Sequence, residues 1–144
     1  MSLKNRMAEI TQIARAAQAR DEELQRKHGV EIGLLLGDPA TAAYMADASE
    51  TAIPLRDYLS ALKLVDLKKL VTLMYAGRDV NDFLQLRSLR KFHDSLTNVH
   101  DATMEVYIRI MSEKIFNLPH YFDAVIEHSR RLDIDPDKDL LGVA

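Results

Sequence analysis

Apolar side chains recur at helical spacing along almost the whole chain. Leu3, Met7, Ile10, Ala14, Ala17 and Leu24 fall near 3.6-residue intervals and predict a first helix from about Leu3 to His28. Gly29 follows Arg26, Lys27 and His28 and suits its end, since glycine accepts a left-handed cap and cations suit a helix C-terminus. The apolar strip of this helix thins between Ala17 and Leu24, so its second half is expected to project from the body. Residues 30–38, VEIGLLLGD, read as a short apolar connection broken by Gly33 and Gly37. Asp38-Pro39 then gives an N-cap and a first-turn proline for a second helix, through Ala40, Ala42, Ala43, Tyr44 and Met45 to about Ser49.

Five further helices follow by the same reasoning. The third, about 52–63, opens near Pro54 and presents Leu55, Tyr58, Leu59 and Leu62. The fourth, about 67–76, is capped by Asp66 and ended by Gly77; Leu67, Leu70, Val71, Leu73, Met74 and Tyr75 cover so much of its circumference that it should be central. The fifth, about 80–97, is capped by Asp79, with Val80, Phe83, Leu84, Leu86, Leu89, Phe92 and Leu96 on one side and Arg87, Arg90, Lys91 and Asp94 on the other. The sixth covers about 100–113, and the seventh starts at Pro119 and runs to about 132. Strand signals are nearly absent, with no Asn-Gly or Asp-Gly hairpin turn. The expectation is an all-α fold, a single-domain orthogonal or antiparallel bundle of about six to seven helices over residues 1–133. Residues 134–144, acidic and broken by Pro136, read as a tail.

Composition narrows the chemistry. Apolar residues at 47% and charged residues at 28% supply both a core and a solvated exterior, unlike a disordered chain. With no cysteine, disulfides and thiolate metal sites are excluded. The chain shows neither a signal-peptide pattern nor an apolar run approaching the roughly 20 residues that span a bilayer, so a cytoplasmic address without membrane contact is expected. The net charge of −3 alternates along the chain: +2 over residues 1–30, −4 over 31–54, +3 over 55–100 and −4 over 101–144. Without a concentrated basic face, nucleic acid is disfavoured as a partner.

At residues 55–83 the chain resembles a bacterial family of small helical proteins, domain-of-unknown-function family 3775. The resemblance lies in Leu55-x-x-Tyr58-Leu59-x-Ala61-Leu62, then Asp66-Leu67-x-x-Leu70-Val71-x-Leu73-Met74-Tyr75-x-Gly77-Arg78-Asp79, with Phe83 following. Leu118-Pro119-His120-Tyr121-Phe122 stands where that family's late helix begins. The second glycine of the family's Gly-Arg-Gly-Asp junction is missing here, and Phe83 replaces its tryptophan. The resemblance implies a helical fold and brings no activity or catalytic residue.

Two groups of residues are candidates for chemistry. His93-Asp94 and His100-Asp101 have the side chains that share a divalent ion in metal-dependent phosphohydrolases. Seven residues along one helix separate them by about 10 Å of rise, so they meet only if a break near Thr97-Asn98 folds the chain back; His120 could then contribute. Arg78, between two helices, could hold a carboxylate or phosphate with its planar guanidinium. The local alternative gives Gly77 and Asp79 to helix capping and pairs Arg78 with a neighbour. The Asp133, Asp135, Asp137, Asp139 rhythm lacks the glycine and terminal glutamate of a calcium loop, and Asp21-Glu22-Glu23 reads as an exposed acidic cluster. No cofactor or resident metal is expected. The leading expectation is a non-enzymatic interaction module that self-associates as a homodimer through its first helix. The alternatives are a small His/Asp metal-dependent hydrolase and an anion-binding regulatory domain built on Arg78 with the Arg87, Arg90, Lys91 face.

Overall fold

A computed structural model describes residues 1–29 and 39–143. Among these residues the chain is all helical and carries no strand. The elements are α1 (Leu3–His28), α2 (Pro39–Ala48), α3 (Ile53–Ser60), α4 (Leu64–Arg78), α5 (Val80–Leu86), α6 (Leu89–Ser95), α7 (Met104–Glu113), α8 (Leu118–Arg131) and α9 (Pro136–Asp139). The expected connection over 30–38, and Asp38 as cap of the second helix, lie outside the described residues. No helix among the described residues is long and apolar enough to cross a membrane.

The helix expected to be central is α4. Leu67 and every residue from Leu70 to Gly77 are buried in it, and it packs most extensively against α8. It runs past the expected stop: Gly77 lies inside the helix, and α4 ends at Arg78. The glycine is needed because α8 passes over it. A Cβ placed at Gly77 would lie 1.8 Å from the backbone oxygen of Tyr121, far inside contact distance. Asp66 lies in the first turn of α4, not at its cap, and faces Arg6 of α1 at 3.6 Å.

Where one fifth helix was expected over 80–97, the chain breaks at Arg87, whose φ of 53° puts it in the left-handed region. Its N–H closes α5 on the Phe83 carbonyl, and Ser88 starts α6 by accepting from the Lys91 N–H. Holding a non-glycine residue there costs about 1–2 kcal/mol. The offset comes from the other end of the chain.

The expected acidic tail is instead a structural clamp. Leu140 and Val143 are buried in the core. The three alternate aspartates each serve a different helix N-terminus: Asp135 accepts from the Asp137 N–H to cap α9, Asp137 accepts from Leu3 N–H at the start of α1, and Asp139 accepts from Leu89 and Arg90 N–H at the start of α6. Arg90 Nη1 also donates to the Leu141 carbonyl. Free N–H groups and the positive end of the helix dipole attract carboxylates at each place. The folded domain therefore extends to residue 143.

The first helix ends as expected, at Gly29 with φ 64°. Its distal half, expected to project uncovered, is covered by α2, which packs chiefly on α1. Ala17, Asp21 and Leu24 are buried there.

Candidate functional site

The chain does fold back after α6, and it brings two of the candidate residues together. The rings of His93 and His100 stack with centroids 4.5 Å apart and planes inclined by 29°. His93, in the last turn of α6, is only 6% exposed. Its Nδ1 lies 2.8 Å from Thr72 Oγ1 on α4, and that hydroxyl lies 3.0 Å from the Lys68 carbonyl. A hydroxyl has one hydrogen to give; with it on the carbonyl, which only accepts, the Nδ1–H of His93 is the donor to Thr72. His100 follows in the α6–α7 connection and donates its Nε2–H to the His93 carbonyl at 2.7 Å. Burial is the main reason that the His93 ring is held below the ordinary histidine range, with His100 the next. Its environment favours a neutral ring.

The aspartates do not join the histidines. Asp94 turns outward, its carboxylate 63% exposed and 3.7 Å from Arg90 one turn back, and Asp101 is exposed. His120 is exposed on α8, its ring beside that of Tyr121. Among the described residues no three His, Asp or Glu side chains come close enough to hold a metal ion. What the pair offers chemically is two ring nitrogens committed to hydrogen bonds and two imidazoles whose charges are coupled by contact.

Arg78 is occupied by its neighbour. Its Nε and Nη2 each donate to one carboxylate oxygen of Asp79 at 3.0 Å, and the guanidinium lies 4.6 Å over the Tyr75 ring. Asp79 stands at the N-cap position of α5 without making a capping bond. The pocket there is shallow, about 370 Å³, lined by Arg78, Asp79, Val80, Asn81 and Asp82. On the Arg87, Arg90, Lys91 face, Arg90 reaches Leu141 and Asp94.

A larger cleft, about 890 Å³, lies between the start of α1, the end of α8 and α9. Its carboxylates include the three capping aspartates, and its Arg130 pairs with Glu127. Lys4 and Lys138 stand exposed on its lining. The buried Ser129 Oγ has no hydrogen-bond partner among the described residues.

The α1–α2 contact holds the polar group that sequence reasoning missed. Asp21, expected with Glu22 and Glu23 in an exposed cluster, is 8% exposed. It accepts from the Tyr44 hydroxyl of α2 and, at 2.8 Å, from Gln25 Nε2. Burial first, and then this bond, push the Tyr44 hydroxyl above the ordinary tyrosine range. Further along, His28 Nε2 meets Asp47 Oδ2 at 2.7 Å. The signal was present in the spacing: 14, 17, 21 and 24 continue the alternating three- and four-residue steps of the buried strip, so Asp21 falls on the inner face. On its outer side α2 exposes Ala42, Ala43, Ala46 and Met45, the last 51% exposed. No protein-family model, no curated protein and no solved structure matches this chain.

Proposed function

We propose that this protein is a helical interaction module that works without catalysis, and that it offers the α1–α2 pair to a second copy of itself. The observation that carries this reading is the outward side of α2, where Ala42, Ala43, Met45 and Ala46 lie exposed on a helix that packs chiefly on α1. Small side chains let the backbone of a neighbouring helix approach closely, and an exposed methionine adapts to the surface it meets. A symmetric pairing of two such faces would cover both strips at once, as a twofold interface requires. The polar bonds beneath, Asp21 to Tyr44 and His28 to Asp47, fix α2 on α1 and so present its outer side in one orientation. The partner helix expected from the sequence therefore becomes the α1–α2 pair, since the apolar strip of α1 is already buried within its own chain. The resemblance at residues 55–83 adds no activity to this reading.

Sedimentation equilibrium of the full chain across roughly 5–200 μM tests it. Two chains per particle are expected, reverting to one in the Ala43→Glu, Met45→Glu double variant, whose altered side chains are exposed in the single chain and leave its circular dichroism unchanged. A wild-type chain that stays single throughout the range contradicts self-association.

A further inference from the structure

We propose that the stacked His93 and His100 rings form a proton-operated latch on the α6–α7 connection, closed at neutral pH and released when both rings carry charge. The connection is held at two points. One is the His93 carbonyl, which accepts from both the Leu96 N–H and His100 Nε2. The other is one residue before His100, where the Val99 carbonyl accepts from the Tyr107 hydroxyl of α7. Val99 and Phe92 are buried beneath it.

A second proton works against only the first of these points. Two imidazolium rings face to face at 4.5 Å repel, and the inner one has almost no water to screen it. The other charged groups that act on the His93 ring are Lys68 of α4, Arg90 and Asp94 of α6 itself. The two cations oppose a further charge, and Asp94 is mostly exposed and so offsets little. Asp101, next to His100 on the connection, is exposed to solvent and so offsets little as well. From α9, Asp139 is bound to the Leu89 and Arg90 amides at the opposite end of α6, and Asp82 of α5 lines the shallow pocket beside Arg78. The rings can escape the repulsion in one direction, because His100 is part-exposed in the connection while His93 is enclosed against α4. Release of His100 removes one of the two bonds on the His93 carbonyl and leaves the Tyr107 anchor on the adjacent Val99 in place.

The sign follows from His93. After burial, His100 is the next cause of its lowered proton affinity; releasing His100 removes that part while burial against α4 stays, so the open form binds more protons than the closed form once the pH falls below the ordinary histidine value of about 6.5. Closure is then complete above that value and is lost on acidification below it. For each proton taken up on opening, the open population rises by at most about tenfold per pH unit.

Hydrogen exchange measured at pH 7.5 and 5.0, corrected for the intrinsic rate, reads this directly. The wild-type amides of Leu96, bonded to the His93 carbonyl, and of the buried Val99 are expected to lose protection at pH 5.0, by on the order of tenfold, while α4 and α8 keep theirs. In His100→Gln the amide side chain can still donate to the His93 carbonyl but carries no charge, and the segment is expected to stay protected at both pH values. His100→Phe keeps a stacked ring without the donor and is expected to be open at both. Equal wild-type protection at the two pH values, or acid opening in His100→Gln as large as in the wild type, overturns the latch. Loss of protection spread evenly over α4 and α8 as well overturns it too, because that is global acid unfolding.

Discussion

The crossing of α4 over α8 and the pairing of α1 with α2 both seat one helix on another, by opposite means. At the first, Gly77 has no side chain and the backbone of Tyr121 fills the place where a Cβ would stand. Both helices contribute to the apolar core, through Leu70, Leu73, Met74 and Phe122. At the second, the contact is fixed by a buried carboxylate that accepts from Tyr44 and Gln25, and by the His28–Asp47 pair near its end. Close apolar packing responds to volume and hardly at all to pH or salt. A contact fixed by polar groups responds to the loss of a single hydrogen-bond partner, because the partner left behind is stranded. The body of the protein should therefore fail when something is added, and the α1–α2 pair when something is removed.

The largest effect is expected at the body. Gly77→Ala forces α8 off α4 by its clash with backbone that cannot step aside, and should cost about 3 kcal/mol or more, read as a fall in the urea midpoint at unchanged slope. A midpoint within experimental error of wild type would mean that the two helices can separate freely there.

Removing the Tyr44 hydroxyl tests the other side. Tyr44→Phe leaves the buried Asp21 carboxylate one donor short and should cost roughly 1–3 kcal/mol, appearing as faster hydrogen exchange in α2 with α4 and α8 unaffected. Adding Asp21→Leu to it replaces both polar partners by apolar ones and should recover most of the loss. A double variant as unstable as the sum of its parts would show that the carboxylate does something beyond satisfying Tyr44.

Within the body, Arg87→Gly should stabilise modestly, by about 1 kcal/mol, because glycine takes the left-handed conformation at Arg87 without penalty while giving back some chain entropy on unfolding. Thermal unfolding measures it, and a lower melting temperature would mean that the Arg87 side chain contributes more than its backbone costs.

The smallest effect concerns the far end of the α1–α2 contact. His28 holds the Asp47 carboxyl below the usual carboxylate range. A lowered acid contributes stability above its unfolded value, about 3.9, and loses it as the pH falls through the lower folded value. The Asp47 side chain is 45% exposed, so Asp47→Asn should flatten the acid limb of the α2 exchange profile only slightly, and less still in high salt.

How much of this was readable in the sequence depends on the range of the interactions concerned. Helix periodicity and the Gly29 stop are local, and they predicted α1 at both ends and α3, α4, α7 and α8 with boundaries displaced by a few residues. The break at Arg87 was hidden because no glycine or proline marks it; Ser88 with its Lys91 amide was the one local cue. The clamp formed by residues 135–143 was not readable, since an aspartate caps a helix about 50 or 134 residues away only once the fold has brought that N-terminus to it. Gly77 suited a helix end equally well until α8 was placed across it. For the candidate site, a break near Thr97-Asn98 permits the fold-back that joins His93 to His100, but the outward turn of Asp94 and Asp101 depends on how α6 ends. Asp21 was legible and overlooked: it lies in register with the apolar strip, and its acidic neighbours Glu22 and Glu23 disguised it.

The central claim is that the outer side of α2 is where this chain meets another copy. A dilution series followed by amide NMR of the full chain tests it most directly, since it reports residue by residue. Cross-peaks of Ala42 to Ala46 should move with concentration along a single binding curve while those of α4 and α8 stay fixed. Stationary α2 peaks up to millimolar concentration, or shifts centred on the α1–α8–α9 cleft, would contradict it.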